Sequence, residues 1–147
     1  MLIQTKYLGS MEIDTSKIVE FSMGLPGFIE ETKFVLLDLP GNPVFQVLQS
    51  VRSETVAFIV TNPYTFYTNY TVDLNDSLQE TLHIESERDV AILAIVTLSQ
   101  PFDKSTLNLK APVIINSKNK RGKQYILNTD DYSSKASITP SLGVKGE

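Results

Sequence analysis

The stretch Thr106-Leu107-Asn108-Leu109-Lys110-Ala111-Pro112-Val113-Ile114-Ile115-Asn116 decides the fold class. Its first half alternates, with Thr106, Asn108 and Lys110 between Leu107, Leu109 and Ala111. A period of two turns one set of side chains inward and the other toward solvent, as in a strand. Pro112 interrupts the ladder, because proline has no backbone donor and suits an edge or a bulge. Val113, Ile114 and Ile115 then resume as a buried β run closed by Asn116. After the polar Ser117 to Lys123 segment, which contains Arg121-Gly122, the chain rises again through Gln124, Tyr125, Ile126 and Leu127. This pattern predicts a hairpin in which Gly122 supplies the awkward backbone angle.

Working toward the amino terminus, the same β character recurs. Val90 to Leu98 is the most hydrophobic strand and the expected spine of the core. Val56 to Val60 is apolar throughout, so it reads as a strand covered on both faces, stopped by Asn62-Pro63-Tyr64. Phe34 to Leu39 and Val44 to Leu48 flank Pro40-Gly41-Asn42-Pro43, a strong turn signal, and predict a hairpin. Gln49 and Ser50 follow at the strand exit, where uncharged hydrogen-bonding groups suit partner contact as well as the start of a solvated loop. Leu2 and Ile3, then Met11 to Phe21, read as short edge strands. Gly24-Leu25-Pro26-Gly27 is a shaped turn that Phe21 and Phe28 are expected to pin to the core.

Helical spacing shows once. Asn75, Asp76 and Ser77 are candidate caps, Ser77 and Glu80 have capping-box spacing, and Leu78 and Leu82 lie four apart. A single helical turn is expected at Ser86 to Asp89. One mostly β domain, a small antiparallel barrel-like body with one short helix, is expected over residues 1–132, with residues 133–147 a loosely held tail.

Composition narrows the function. Seventeen acidic against thirteen basic residues give a net charge of -4, which disfavours direct binding of nucleic acid through phosphate contacts. The absence of cysteine removes disulfides, thiolate nucleophiles and cysteine zinc sites. No apolar run has the length of a signal or of a membrane span, so a cytoplasmic protein is the expectation. Catalytic groups are sparse. His83 is the sole histidine, and Glu30-Glu31 and Asp130-Asp131 are neighbours whose side chains diverge in a strand. The Gly24 and Gly27 turn lacks the spacing and lysine of a nucleotide loop. No enzyme, cofactor or metal is expected.

Two clusters remain for recognition. Tyr64, Phe66, Tyr67 and Tyr70 offer rigid aromatic surface with polar tips, with a packed strand as the competing reading. Glu80, Glu85, Glu87 and Asp89 crowd one segment and either project a negative field or form a solvated face.

Four motifs occur in order: Phe21-x-x-Gly24-Leu25-Pro26-Gly27-Phe28, Phe45-x-x-Leu48-Gln49-Ser50, Asn62-Pro63-Tyr64, and Thr106-x-Asn108-Leu109-x-Ala111-Pro112-x-x-x-Asn116. With Gly122-x-Gln124 and Tyr132 following, the chain resembles the FliW family of flagellar assembly factors from about Ile3 to Tyr132. It departs at Leu107, where a small residue is usual, and at Tyr64, where phenylalanine is. The resemblance implies a monomeric cytoplasmic β-barrel-like protein that binds newly made flagellin and, when free of it, binds and antagonises CsrA, an RNA-binding translational repressor. The partner-contact residues expected on these motifs are Gln49, Ser50, Asn62, Pro63, Tyr64, Asn108, Pro112 and Asn116, with Gly24, Pro26 and Gly27 structural. The acidic set would repel RNA from a bound CsrA. Readings from other classes are a carbohydrate-binding β-barrel module, using the aromatic loop with exposed Asn and Gln, and, ranked last, an enzyme with Asp130 or Glu31 as general base.

Overall fold

The computed structural model describes residues 1–139. Eleven strands and one α-helix make up its regular structure: β1 Leu2–Thr5, β2 Gly9–Glu12, β3 Val19–Glu20, β4 Lys33–Leu39, β5 Asn42–Ser50, β6 Ala57–Thr61, α1 Asp76–Thr81, β7 Val90–Thr97, β8 Thr106–Leu107, β9 Val113–Asn116, β10 Arg121–Gln124 and β11 Ala136–Ser137. Short 3-10 turns cover Thr15–Lys17, Pro63–Thr65, Glu87–Asp89 and Phe102–Lys104. The mostly β architecture with a single short helix is the one the alternation and apolar runs predict.

The strands close on themselves. The order β7-β6-β5-β4-β3-β10-β9 returns to β7, because β7 also pairs with β9. The pairings are antiparallel except for the single β3–β10 rung between Glu20 and Arg121, which is parallel. β8 and β11 extend the sheet from β7, and β1 and β2 form a separate hairpin. Alternate residues serve two cores. Phe34, Leu48, Val60, Leu93, Val113 and Ile115 pack with Val19, Phe21 and Leu25. Val35, Leu37, Val47, Ile59, Ala94 and Val96 face the other way onto Ile3, Leu107, Leu109, Leu127 and Ile138. The first cluster draws on the ring strands and lies inside the curled sheet; the second lies between the sheet and the elements outside the ring. Burial on both faces explains the unbroken apolar runs of β6 and β7.

The β4–β5 hairpin forms as its turn signal predicts, with Gly41 left-handed at φ 73° and a bulge after Asp38 that accommodates Pro43. Helix α1 is capped by Asn75, whose side chain accepts from the Leu78 N–H at 2.8 Å, so Asn75 rather than the Ser77 and Glu80 capping box starts the helix. The helix buries Leu78 and Leu82 against Ile114 of β9. The single helical turn expected before β7 is present at Glu87–Asp89.

Four expectations are corrected. Gly122 does not take the left-handed angle of the β9–β10 turn; Lys120 does, at φ 59°. Glycine at 122 is required because a Cβ there would stand 2.6 Å from the Phe21 ring. The ladder over Thr106 to Ala111 is regular only at Thr106–Leu107, although Leu107, Leu109 and Ala111 are buried as the alternation predicts. Leu98 lies beyond the spine strand and is exposed. The tail expected from Ser133 is docked at its start: Ala136 pairs with Leu107, Ser137 pairs with Thr106, and Ile138 is buried. That places the end of the ordered body beyond residue 132, because β8 needs a partner on its outer edge; residues 140–147 lie outside the described residues.

Gly122→Ala is expected to lower unfolding stability by about 1–3 kcal/mol, since the added methyl collides with a wholly buried ring that cannot move away. His83 sits just past α1 at φ 53°, so His83→Gly is expected to raise stability by about 1 kcal/mol. Urea unfolding of both variants against the parent checks these two signs.

Candidate partner-binding surface

The eight residues expected to contact partners divide by burial. Gln49, Ser50, Pro63, Pro112 and Asn116 are buried; Asn62, Tyr64 and Asn108 reach solvent. Polar side chains placed in the interior must find hydrogen-bond partners there, and these do.

Gln49 of β5 is fully enclosed, at 0% exposure. Its Oε1 accepts from the Lys6 N–H at 2.9 Å, which fastens the segment between β1 and β2 to the barrel. Its Nε2 group lies within 3.0–3.3 Å of the carbonyls of Ser50, Ser53, Glu54 and Val56, so it braces the turn between β5 and β6. The Ser50 hydroxyl accepts from the Arg52 and Ser53 N–H groups and donates to Glu31 Oε1 at 2.5 Å. Ser53 donates to the other Glu31 oxygen at 2.8 Å. These two bonds hold the Glu31 carboxyl below its ordinary pKa by stabilising the charged form. They also tie the Gly24 to Glu31 loop to the barrel wall. On that loop Phe21 is buried as expected, whereas Phe28 is 41% exposed with its ring edge-to-face on Phe58, and Met23 and Ile29 are exposed.

Asn116 ends β9 and reaches across to α1. Its Nδ2 donates to the carbonyls of Leu82 at 2.9 Å and His83 at 3.1 Å, while its Oδ1 accepts from the Lys118 N–H. Asn119 donates to Leu82 as well. The end of the helix is thereby satisfied by the β9–β10 turn. Asn108 Oδ1 accepts from the Ala111 N–H, and the Pro112 carbonyl accepts from the Tyr125 N–H, so both shape the crossing into β9. Asn62 caps the Pro63–Thr65 turn.

The aromatic segment is a packing unit. The Tyr70 hydroxyl donates to the Leu109 carbonyl at 2.7 Å and Tyr67 donates to Ser137 at 2.5 Å. Tyr70 stands between Tyr64 and Tyr132, and Phe66 stacks on Phe45. Burial raises the phenol pKa values of Tyr64, Tyr67 and Tyr70. Tyr70 is buried, while Tyr64, Phe66 and Tyr67 are half-buried, their rings packed on neighbours and the Tyr67 and Tyr70 hydroxyls bonded to backbone carbonyls. The competing reading of this segment, a packed strand, errs only in the element: it is a 3-10 turn and loop.

The acidic set stays at the surface. Glu80, Glu85 and Glu87 are exposed and Asp89 is half-buried, on or just after α1. Among the described residues the two ion pairs are Met1 with Glu12 and Lys110 with Asp130, so these four carboxylates have no cationic partner within ion-pair distance. Glu85 and Glu87 border a groove of about 550 Å³. The acids are strung along a rim, and among the described residues no three His, Asp or Glu side chains converge as a metal set would.

The chain matches the model of the FliW protein family over residues 2–138. The chain belongs to the FliW family. It is 56% identical over 147 residues to the flagellar assembly factor FliW of Oceanobacillus iheyensis, covering all of both chains. To that of Bacillus subtilis it is 46% identical over 138 residues, 94% of this chain and 96% of the relative. A crystal structure of the flagellar assembly factor FliW aligns at a TM-score of 0.91 and 42% identity, covering 95% of this chain and 98% of that one. The relatives of this FliW chain are named as assembly factors, not as enzymes. No helix among the described residues is long and apolar enough to cross a membrane.

Sequence reasoning missed two surfaces of the FliW body. Glu31 reads in sequence as one of a divergent acid pair or, in the last-ranked reading, as a general base, yet it is the clamp of the glycine-proline loop; its partners lie nineteen and twenty-two positions away. Val44, Leu98 and Phe102 form an exposed apolar patch with Leu39 and Phe66 that no local pattern announces, because it is assembled from four separate segments.

Asn116→Ala is expected to cost about 1–3 kcal/mol, because it strips the buried carbonyls at the end of α1 of a donor; thermal unfolding reads it. The lowered Glu31 pKa gives a signed pH effect. Its stabilisation is complete above the unfolded-state carboxylate pKa and is lost as pH falls through the lower folded value. Glu31→Gln should therefore flatten the acid limb of a stability-against-pH curve.

Proposed function

We propose that this chain is a partner switch in the cytoplasm that binds flagellin and, when free of it, binds CsrA and antagonises it. The observation that carries this reading is the full-length likeness to flagellar assembly factors. The mechanism needs no chemistry: two partners that exclude each other lower each other's apparent affinity by the same factor. A rigid closed sheet with surface loops fits such a task, since contact residues on a fixed scaffold bind without a large ordering cost.

In this reading Asn62, Tyr64 and Asn108 touch partners directly, and Gln49, Ser50, Pro63, Pro112 and Asn116 act by holding the loops in shape. Glu80, Glu85, Glu87 and Asp89, which have no ion-pair partner among the described residues, set a negative field beside bound CsrA that disfavours incoming RNA over about one Debye length, ~8–10 Å in physiological salt. In this reading the free protein is a monomer.

Calorimetric titration with CsrA, repeated after saturation with flagellin, tests the switch. Binding to CsrA is expected for the free protein and is expected to vanish after saturation; failure of the folded protein to bind either partner overturns the reading. Neutralising Glu80, Glu85, Glu87 and Asp89 together is expected to leave CsrA binding in place while weakening RNA release, and unchanged release removes the electrostatic part.

A further inference from the structure

The groove beside α1 shares Tyr64, Glu85 and Glu87 with the surface assigned above to the partner switch and adds apolar side chains that the switch does not use. The half-buried side chains of Val72, Leu74, Ile84, Val90 and Ile92 form the apolar part of its lining, together with Tyr64. Its rim carries Asp73, Glu85 and Glu87, and the adjoining hollow around the end of α1 adds Asp76 and Glu80. No lysine or arginine lines either part. The five carboxylates have no ion-pair partner among the described residues. Apolar lining and one-signed rim together define the chemistry of an occupant: apolar side chains at some positions and cationic ones at others.

The backbone beneath the groove adds a conformational preference. β6 pairs with β7 at Ala94, Ile95 and Val96 and then leaves at Asn62-Pro63, while β9 covers the opposite edge of β7 at residues 90–93. The Asp89 carbonyl accepts from the Ser117 N–H, so the backbone groups of Ala91 and Leu93 face β9 and those of Val90 and Ile92 face away from it. The Val90 N–H is taken by the Glu87 carbonyl. The Val90 carbonyl and both backbone groups of Ile92 have no ladder partner among the described residues. An open strand edge favours an extended segment that can lie along it.

We propose that this groove binds an extended, lysine- or arginine-bearing segment of a protein partner, its apolar side chains against Val72, Leu74, Ile84 and Ile92 and its cations against Asp73, Glu85 and Glu87. Alternation of side chains along an extended strand sorts the two kinds to opposite faces, which matches apolar lining and rim. The inference does not depend on the identity of either partner in the switch.

The test uses the full chain, labelled with ¹⁵N, and two capped hexapeptides, Lys-Val repeated three times and Glu-Val repeated three times. The lysine peptide is expected to shift the amide signals of Leu74, Glu85, Val90 and Ile92 in a saturable manner, and the glutamate peptide is expected to leave them unchanged. The triple variant Asp73→Asn, Glu85→Gln, Glu87→Gln is expected to bind the lysine peptide about tenfold more weakly at low salt, as three rim pairs allow. These substitutions are at the surface, and an otherwise unchanged amide spectrum shows that the variant is folded. Equal binding of the two peptides, equal binding by the triple variant, shifts centred elsewhere, or no shift at millimolar peptide each overturns the proposal. Concentration-dependent shifts of the same amides without peptide would assign the groove to a second copy of the chain and overturn it equally.

Discussion

The structure depends on one strand that serves two neighbours on opposite edges. β7 pairs through Ala94 to Val96 with β6 and through Val90 to Leu93 with β9, and this double use turns an open sheet into a ring. Without the second pairing β9 and the Val90 to Leu93 stretch of β7 would present open edges, and exposed edges invite pairing with other chains. The handover has a local cause. Asn62-Pro63 follows the last β6 rung, proline can donate no ladder bond, and the chain turns into a 3-10 segment. Apolar residues on both faces of β7 then follow, since one face meets the ring interior and the other meets the layer outside it.

Closure also explains the placement of polar residues inside the body. Strands that curl leave connections crossing their ends, and each crossing brings backbone carbonyls that need donors. Gln49 and Asn116 supply them, one at the β5–β6 turn and one at the end of α1. Both are amides, which offer two donors and an acceptor in one uncharged group, so they satisfy several backbone atoms without burying a charge. Their role is to fix loop shape. In a family of flagellar assembly factors, fixed loops on a rigid ring are a fitting platform for protein recognition.

Charge divides the molecule. The α1 side carries carboxylates without ion-pair partners among the described residues, whereas Lys33, Lys120 and Arg121 gather with Glu20 around the β3–β10 rung. A small net charge of -4 conceals this separation. Separated charge steers encounter and selects partners by sign, and it is screened by salt.

By itself the sequence determined the fold class, because period-two alternation and short apolar runs bounded by Gly, Pro and Asn can be satisfied by little other than a curled antiparallel sheet. It determined the helix through Asn75, Leu78 and Leu82, and the family through motifs spread over most of the chain. The tertiary structure decided which motif residues face solvent. Gln49, Ser50 and Asn116 have the side-chain chemistry of contact residues, but the atoms they bond to belong to Lys6, Glu31, Leu82 and His83, and no local pattern encodes those distances. Gly122 was legible as special and misread in cause, since the ring it must clear lies about a hundred residues away at Phe21. The acidic segment was legible as charge, but the groove it borders is assembled from Tyr64, the Val72 to Leu74 stretch, the end of α1 and β7. Side-chain type and spacing are local quantities, whereas burial and pairing depend on what the rest of the chain brings alongside.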